Sequence, residues 1–566
     1  MTDSKRIVII GGSAAGPKAA ARARRLDEHA HITIIQRDAD LSMASCGYPY
    51  YVGGCFDDRN QLLCTPTGIV RDPVFYMNAK GIVARTRTEA TAIDRVRKTV
   101  SVKDLGTGET DVVPYDKLVI ATGANPRLPA VPGTELEGIT TLQSIDDADY
   151  LRTVAEEKKI TRAVVVGGGL IGIETCEALQ LAGVHITIVE LLPQLLAFLD
   201  RELALLVEGH VRAKGANVIT NNGLARFLGE NGKLTGVKLQ NGAELPCELA
   251  VVAIGVTPNS RLAREAGLEI GETGGIAVND YMQTSDPDIY AVGDCVEIPH
   301  RITGKKTLAP YGDLANLQGR VAGSHLMGGA TPPFPGTIQT GISKVFDFAA
   351  GSTGLSERAA REAGFHTIET VINAGPDKPG FMDGKLLVTK LVVNRADGRL
   401  LGAQCVGPGD VAKQIAMWAM AIQGGLTVYD MINADMPYAP PFSLAIDHGI
   451  ATAHIMQNKL VGYMAGISAA EVKAKYDHGE NFTLLDVRGP DEYEAMRLGI
   501  GEKLIPLGTL RQRLEELPDD KDAEIVCYCK IGLRGYEAAR LLTGRGWTNV
   551  KVMEGGIAAW PFAREK

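Results

Sequence analysis

Two cysteines of this chain stand where a thiol could do chemistry. Cys46 lies in the stretch SMASCGYPYYVGG, in a polar turn about ten residues after a predicted strand. Cys529 lies in CKIGLR, directly after the apolar run IVCY. A thiolate at either position could attack a sulfur atom, whereas a structural cysteine is expected among apolar neighbours. For Cys46 four roles stay open at this point: packing, metal binding, pairing with a second cysteine, or acting alone.

A glycine turn near the start of the chain is the first element that could position such a thiol. The segment RIVIIGGSAAG, residues 6–16, predicts a strand, a tight turn and a helix. Gly11 and Gly16 occupy the outer positions of the dinucleotide pattern GxGxxG, but Ser13 replaces the middle glycine. The following strand, HITII, ends before Gln36, where an acid is usual. By itself this loop is weak evidence, because an ordinary tight turn explains it equally well.

A second glycine turn fits the pattern fully. RAVVVGGGLIGIE, residues 162–174, places Gly167, Gly169 and Gly172 between a valine-rich strand and a helix. About twenty residues later the next strand ends at Glu190, whose carboxylate can accept hydrogen bonds from both ribose hydroxyls of an adenosine. No Arg or Lys follows Glu190, so a 2′-phosphate would be repelled. The loop therefore predicts a dinucleotide site that prefers NADH to NADPH.

Three further segments carry a family resemblance: LVIATGANPRLP, LAVVAIGVTPN and SDPDIYAVGDC. Together with the glycine loops they resemble the flavoprotein disulfide reductases, which have one FAD fold and one NAD(P)H fold. The resemblance implies an α/β fold with two Rossmann-like domains, an α+β dimerisation domain and an α/β C-terminal domain. It implies that the cofactor-binding residues are Gly11, Gly12, Ser13, Ala15, Gly16, Gln36, Arg37, Ala121, Thr122, Gly123, Gly167, Gly169, Gly172, Glu190, Gly255, Gly293 and Asp294.

The resemblance also implies a division of the chain. We expect an FAD-binding domain over 1–118 and 255–328, an NADH-binding domain over 119–254 and a dimerisation domain over 329–455, followed by a linker over 456–466 and a separate C-terminal domain over 467–566.

The surroundings of Cys46 narrow the resemblance to one branch of the family. Tyr51 stands where the CxxxxC reductases have their second cysteine, and SxxxCGxPYYxGG resembles the coenzyme A disulfide reductases. In that branch one cysteine forms a mixed disulfide with coenzyme A, which makes Cys46 a lone redox nucleophile. The similarity implies that coenzyme A contacts Lys18, Arg22, Arg25, Ser42 and Ser45. On charge alone, the three basic residues could equally form a solvated helix face.

Residues 331–455 resemble the reductase dimerisation domain, so we expect a homodimer. In that family a tyrosine of the partner subunit reaches the active site. Tyr438, in the stretch YAPPF, is the candidate for this role, and the alternative is an ordinary packed phenol beside a proline turn.

The last hundred residues resemble a rhodanese domain through NFTLLDVRGPDEYEA, CKIGLR and KVMEGGIAAWP. A thiol at a strand end, a tight loop at Gly532 and a following helix start direct backbone N–H groups at Cys529. Those donors and Arg534 would stabilise a thiolate and its persulfide. Asp486 and Arg488 would brace the fold, and Cys527 is expected in the core. The alternative role for this domain is docking without catalysis.

Composition excludes several other functions. The net charge of −8, with mixed signs, offers no basic surface for nucleic acid. No run approaches 18 apolar residues, and the first apolar run is too short for a secretion signal, so we expect a cytoplasmic protein without membrane contact. Nine cysteines in a long chain do not suggest a disulfide framework, and no metal site is predicted.

These features predict an enzyme that uses NADH, FAD and coenzyme A to reduce small persulfides, polysulfides and coenzyme A disulfides, as in the rhodanese-fused reductases. Electrons would pass from NADH through FAD to Cys46. One rival is an NADH oxidase or peroxidase that cycles through a cysteine sulfenic acid. Another is a sulfur-carrier protein whose flavin half is regulatory.

Overall fold

The first glycine loop opens a parallel sheet of five strands. The computed structural model describes residues 4–566, so the first three residues of the predicted first domain lie outside the described residues. In spatial order the strands are Ile289–Ala291, Lys117–Ile120, Arg6–Ile10, His31–Ile35 and Ile82–Arg85. Except for Val83 and Ala84 on the edge strand, their apolar side chains are buried on both faces, as expected for a parallel sheet covered by helices.

Two helices on this sheet approach each other closely because glycines line their contact. The helix Ala15–Leu26 follows the first strand, and the helix Gly312–His325 packs against it. A Cβ atom at Gly319 would lie 2.4 Å from the Ala15 carbonyl oxygen, and one at Gly323 would lie 2.6 Å from that of Ala19. Larger residues at these two positions would force the helices apart.

The second glycine loop opens another parallel sheet. Its strands include Ile139–Thr140, Leu249–Val252, Arg162–Val166 and His185–Val189, and the helix Leu170–Leu181 follows the loop. Small sheets flank both dinucleotide folds, and their strands pair in antiparallel fashion except Ile276–Ala277 with Val296–Pro299, which pair in parallel. They comprise Thr88–Asp94, Thr99–Asp104 and Thr110–Pro114; Leu224–Glu230, Lys233–Leu239 and Glu244–Pro246; Ala124–Pro126 and Val256–Pro258; and Ile276–Ala277, Val296–Pro299 and Lys306–Thr307. The other helices here are Tyr48–Val52, Pro73–Lys80, Ile145–Glu156 and Arg261–Glu265.

Both dinucleotide folds belong to one compact unit, formed by residues up to 191 together with 222–337. A second unit contains 192–221 and 338–566. Its antiparallel sheet has the order Gly341–Val345, Phe348–Gly354, Leu400–Gly407, Leu386–Asn394 and Ile368–Pro376. The helices with it are Arg201–Ala213, Glu357–Glu362, Val411–Gln423, Val428–Met431 and His448–Leu460. Residues 192–221 also contain the strand Asn217–Ile219, which is not part of this antiparallel sheet.

A buried ion cluster ties the helix Arg201–Ala213 to this antiparallel sheet. The Lys390 side chain is 2% exposed, and its Nζ lies 3.4 Å from Asp200, 3.2 Å from Glu202 and 2.9 Å from Glu357. Gln404 also donates a hydrogen bond to Asp200, at 2.8 Å. Because removing one partner of a buried cluster leaves uncompensated charge, these groups depend on one another.

The C-terminal domain, which belongs to the second unit, contains the third parallel sheet of the chain. Its parallel sheet has the order Gly466–Ile467, Val550–Met553, Ile525–Tyr528, Thr483–Asp486 and Lys503–Leu504. The helices are Ala469–Asp477, Pro490–Ala495, Leu507–Leu510 and Leu533–Gly544. The predicted α/β and α+β fold classes are therefore confirmed. Among residues 4–566, no helix is both long and apolar enough to cross a membrane.

The segment predicted as a linker, 456–466, is largely regular structure. Its first part is the end of the helix His448–Leu460, and Gly466 already belongs to a strand of the C-terminal sheet. Lys459 makes ion pairs with Glu369 at 3.0 Å and with Glu554 at 2.5 Å, and Glu554 accepts a hydrogen bond from the Ile372 N–H at 2.8 Å. These contacts hold the C-terminal domain against the antiparallel sheet. The segment is therefore not a flexible linker.

Candidate active site

Steric constraints explain the outer glycines of the first loop. Gly11 has a φ of 114°, and a Cβ atom there would lie 2.0 Å from the Ala121 carbonyl oxygen. A Cβ atom at Gly16 would lie 2.0 Å from the Gly11 carbonyl oxygen. Ser13, between them, is exposed at the mouth of a cavity. The loop thus keeps its tight turn and close helix packing although the middle glycine is a serine.

The second loop repeats this geometry. Gly167 has a φ of 111°, and a Cβ atom at Gly172 would lie 2.0 Å from the Gly167 carbonyl oxygen. At Gly169 a Cβ atom would have no neighbour within 4 Å, so the backbone is open to an approaching ligand there. The Gly168 N–H donates to Glu190 Oε2 at 2.6 Å, which fixes the carboxylate beside the loop. Gly255, with a φ of 98°, has similarly open space around it.

A cavity of about 920 Å³ joins the first loop to Cys46. This is the size of a site that encloses a large cofactor. The predicted residues that line it are Gly11, Ser13, Ala15, Gln36, Arg37, Ser45, Cys46, Ala121, Thr122, Gly123, Gly293 and Asp294. The predicted residues outside its lining are Gly12, Gly16, Lys18, Arg22, Arg25 and Ser42, together with the second-loop residues Gly167, Gly169, Gly172, Glu190 and Gly255.

Hydrogen bonds hold the lining where the chain crosses between the two folds. Thr122 donates its hydroxyl to the Asn259 carbonyl oxygen at 2.7 Å, and the Asn259 side chain donates back to the Thr122 carbonyl at 2.9 Å. The Asn259 N–H also donates to the Gly123 carbonyl oxygen at 2.9 Å. Asn259 therefore positions the predicted residues Thr122 and Gly123, although the sequence analysis did not single it out.

Cys46 is exposed and lies in a short 3-10 turn, Ser45–Gly47, before the helix Tyr48–Val52. A Cβ atom at Gly312 would lie 3.8 Å from its Sγ, so the thiol borders the start of the helix Gly312–His325. Partial burial raises the pKa of Cys46, and the negative charges of Glu174 and Asp294 raise it further. A hydrogen bond with the Ser45 side chain acts in the opposite direction. Burial and the two carboxylates therefore favour the thiol over the thiolate at Cys46.

Asp294 is a carboxylate at the wall of the same cavity. Burial raises its pKa to about 6, since the carboxylate is partly removed from water. A hydroxyl-rich ligand that donates to this carboxylate would stabilise its charged form and lower the pKa again. This behaviour fits a carboxylate that binds the hydroxyl groups of a cofactor, the kind of role that the resemblance implied for Asp294.

The basic residues of the first helix lie in two environments. Arg22 is half-buried and donates through Nε to the Ser324 hydroxyl at 2.8 Å, whereas Arg25 is exposed. Burial lowers the pKa of Lys80, and the nearby charge of Arg25 lowers it further. Lys80 was not singled out from the sequence, because no local pattern connects it to Arg25. The charges of these two side chains therefore act on each other although the residues lie far apart in the sequence.

Ser42, another predicted coenzyme A contact, is buried. It has a φ of 53°, and its hydroxyl oxygen lies 2.5 Å from that of Tyr76. Either hydroxyl can be the donor. Ser42 is therefore already engaged by a buried tyrosine that sequence reasoning missed.

Tyr438 lies in the second unit, in a groove of about 310 Å³, with 55% of its side chain exposed. The segment that follows it is fixed by Asp447, which accepts hydrogen bonds from Ser443 at 2.8 Å and from Lys413 at 2.7 Å. These bonds lower the pKa of Asp447 to about 2 although burial opposes them. An exposed tyrosine on a fixed segment is available to a second protein surface rather than packed in the core.

The second thiol, Cys529, follows the strand Ile525–Tyr528 and is only 1% exposed. The Gly532 N–H donates to its Sγ at 3.2 Å, and Gly532 has a φ of 110°. Arg534 makes a two-pronged ion pair with Glu492, at 2.7 and 2.8 Å, and the charge of Cys529 contributes to raising the pKa of Arg534. Glu492, missed by the sequence analysis, thus holds the guanidinium beside the thiol.

The floor of this loop is braced as expected. Arg488 donates to both carboxylate oxygens of Asp486, at distances from 2.6 to 3.0 Å, with both side chains buried. The Cys529 carbonyl oxygen accepts a hydrogen bond from the Ile557 N–H at 2.9 Å. Cys527 is fully buried, and burial raises its pKa to about 12, so it belongs to the core.

Comparison with known proteins assigns these sites to families. Residues 5–309 match the pyridine nucleotide-disulphide oxidoreductases, 341–449 match the dimerisation domain of that family, and 468–562 match the rhodanese-like domain. The chain belongs to the pyridine nucleotide-disulphide oxidoreductase family. This confirms the resemblance drawn from the glycine loops and assigns the chain to a family of oxidoreductases.

The proteins similar to this chain are named as persulfide or polysulfide reductases and as NADH oxidases. A solved NAD-dependent persulfide reductase from A. fulgidus is 44% identical, with a TM-score of 0.93, and the match covers 98% of this chain and all of that one. The NAD(P)H coenzyme A polysulfide/persulfide reductase of Pyrococcus horikoshii is 33% identical, covering 80% of this chain and 98% of its own. An NADH oxidase of Methanocaldococcus jannaschii is 32% identical, covering 78% and 96%.

Proposed function

We propose that this oxidoreductase uses NADH and FAD to reduce persulfides, polysulfides and coenzyme A disulfides at Cys46, and that it works as a homodimer. The observation that carries the proposal is the single cavity that joins the first glycine loop, Asp294 and an exposed thiol. The identity to a named persulfide reductase over nearly the whole chain supports the same substrate class.

The residues around the cavity fit a bound FAD. Gly11 and Gly16 permit the tight turn and close helix packing of the first loop, and Asp294 offers a carboxylate whose raised pKa a hydroxyl donor would lower. Bound FAD would supply two-electron transfer between a nicotinamide and sulfur. Glu190, held by the Gly168 N–H, would bind the NADH ribose and would repel a 2′-phosphate.

Cys46 performs the sulfur chemistry in this proposal. Its thiolate attacks the S–S bond of the substrate, a new disulfide forms between Cys46 and one sulfur, and the other sulfur leaves as a thiolate or as hydrosulfide. Two electrons that originate from NADH then cleave the mixed disulfide, and a proton completes the released thiol. Because no second cysteine lies at CxxxxC spacing, the resolving sulfur belongs to the ligand, for which we propose coenzyme A.

The basic surface made by Lys18, Arg22, Arg25 and Lys80 would hold the coenzyme A phosphates. Ser42 and Ser45, which precede Cys46 in the chain, would contribute further polar contacts to coenzyme A. Tyr438 would contact the site of the partner subunit, which agrees with its exposure on a fixed segment. Cys529, with Gly532 and Arg534, would accept sulfane sulfur as a persulfide and deliver it for reduction.

Anaerobic assays test this proposal. NADH oxidation should depend on added coenzyme A persulfide or polysulfide, should release sulfide, and should be faster with NADH than with NADPH. Arg25→Ala should raise the KM for coenzyme A persulfide several-fold and leave that for inorganic polysulfide unchanged, because only the former has phosphates. Turnover that needs oxygen and no sulfur substrate would favour an NADH oxidase, the activity named for the Methanocaldococcus relative.

A further inference from the structure

In both glycine loops a backbone N–H donates to the side chain that follows the next strand, but the side chain differs between the loops. In the second loop the Gly168 N–H donates to Glu190 Oε2 at 2.6 Å. In the first loop the Gly12 N–H donates to Gln36 Oε1 at 2.8 Å. Gln36 directly follows the strand His31–Ile35, and Glu190 directly follows the strand His185–Val189. A carboxylate has two acceptor oxygens, but an amide has one acceptor and one donor. The two loops therefore differ in what they offer a ribose.

The orientation of the Gln36 amide follows from its partners. Because the Gly12 N–H requires an acceptor, the amide oxygen must face it, and the amide nitrogen faces the other way. That nitrogen donates to Asp38 Oδ2 at 3.1 Å. Gln36 is 5% exposed, so its amide has little freedom to turn over. In this orientation Gln36 presents N–H groups where a glutamate would present a second oxygen.

Asp38 lies two residues further along and lines the same cavity as Gln36. Its backbone is fixed, since the Arg87 N–H donates to the Asp38 carbonyl oxygen at 3.0 Å and the Thr88 N–H donates to that of Gln36 at 2.9 Å. The second carboxylate oxygen, Oδ1, lies 3.5 Å from Arg37 Nε. The side chain is about half-exposed, so its oxygens remain accessible to a ligand in the cavity.

We propose that Asp38 is the carboxylate that accepts the ribose hydroxyls of the adenosine half of FAD, and that the Gln36 amide positions it. The inference rests on the proposed function, which places FAD in this cavity. A dinucleotide ribose in such folds is normally held by an acid at the end of the second strand. Here the acid is moved by two residues, and the glutamine bridges the glycine loop to it.

Flavin affinity of the deflavinated full-length protein tests the assignment, measured by quenching of flavin fluorescence. Asp38→Asn should weaken FAD binding by about tenfold, the usual effect of losing a charged hydrogen-bond acceptor. An FAD analogue with 2′-deoxyadenosine should bind the unmodified protein more weakly than FAD does. The Asp38→Asn protein should no longer distinguish the two ligands as strongly, because the lost hydroxyl and the lost carboxylate report one interaction.

Two further variants serve as rescue and control. Gln36→Glu in the Asp38→Asn background should restore affinity to within about threefold, since a glutamate can accept from both Gly12 and the ribose. Glu190→Gln should weaken NADH binding and leave FAD affinity unchanged. Equal FAD affinity of Asp38→Asn and the unmodified protein, or an undiminished preference for FAD over its deoxy analogue in Asp38→Asn, would overturn the assignment. Failure of the unmodified protein to bind FAD at all would instead overturn the proposed function.

Discussion

Cys46 and Cys529 carry the same thiol in opposite surroundings. Cys46 is exposed beside a large cavity, with Glu174 and Asp294 opposing its ionisation. Cys529 is buried, faces a backbone N–H donor, and has the guanidinium of Arg534 nearby. The protein therefore surrounds the buried sulfur with a hydrogen-bond donor and a guanidinium of its own. At the other site it provides access to the thiol, and its nearby carboxylates oppose ionisation.

Removal of the exposed thiol should give the largest effect. Cys46→Ser should lower persulfide and disulfide reduction by about 10³-fold or more, because a hydroxyl cannot form the mixed disulfide. The flavin content should not change, since the thiol does not hold the cofactor. Steady-state NADH oxidation and the visible flavin spectrum measure the two outcomes. Cys55→Ser is the matched control, as Cys55 is also exposed; if both variants keep their activity, the chemistry takes place elsewhere.

Removal of the buried thiol should separate two classes of substrate. Cys529→Ser should abolish transfer of sulfane sulfur to cyanide and impair NADH oxidation with bulky persulfide donors by about tenfold, while free coenzyme A persulfide is reduced normally. Cys527→Ser is the control, because that thiol is fully buried and un-ionised. If Cys529→Ser reduces both classes at the normal rate, the C-terminal domain has a docking role in this reaction.

Loss of the carboxylate that holds Arg534 should have a smaller effect. Glu492→Gln should lower sulfur transfer several-fold, because the guanidinium loses its two-pronged partner beside Cys529. Hydrogen bonding from Arg534 lowers the pKa of Glu492 to about 2, so the carboxylate is charged throughout the neutral range. Its stabilisation of the fold should be lost only as the pH falls from about 4.5 towards 2. An unchanged rate in Glu492→Gln would show that Arg534 keeps its position without this partner.

The smallest expected effect concerns the ionisation of Cys46. Because Glu174 raises the pKa of this thiol, Glu174→Gln should shift the pH dependence of Cys46 alkylation by iodoacetamide towards lower pH. The raised pKa also implies that the alkylation rate of the unmodified protein increases with pH above neutrality. Ser45→Ala should shift the profile in the opposite direction. Superimposed profiles for all three proteins would remove these charges and hydrogen bonds from the account of Cys46.

Sequence patterns predicted the parts of the site in which chain neighbours decide the geometry. Gly11, Gly16, Gly167 and Gly172 were found because any side chain there would collide with nearby backbone. The Cys529 loop was also found, since its donor from Gly532 lies three residues away. Groups that meet through the fold were missed. The charge of Arg25 acts on Lys80, and Arg534 forms an ion pair with Glu492, although the two members of each pair are far apart in the sequence.

The segment 456–466 shows why a glycine-containing stretch alone is a poor guide to mobility. The predicted linker contains Gly462 and Gly466, residues that permit bending, and Gly462 does adopt a φ of 77°. A Cβ atom at Gly466, however, would lie 1.8 Å from Glu554 Oε1, so this glycine serves a close contact rather than a bend. The ion pair of Lys459 with Glu554 depends on the docked domain, and no local pattern could have revealed it.

The sequence by itself determined the fold class and the two dinucleotide loops, and it singled out the two candidate thiols, because each depends on residues within one strand–turn–helix unit. Only the tertiary structure decided the electrostatic setting of those thiols. Glu174 and Asp294 come to Cys46 from distant segments, and Arg534 is oriented by Glu492 from another helix. Coulombic interactions and burial depend on distances in space, which the spacing of residues along a chain does not specify.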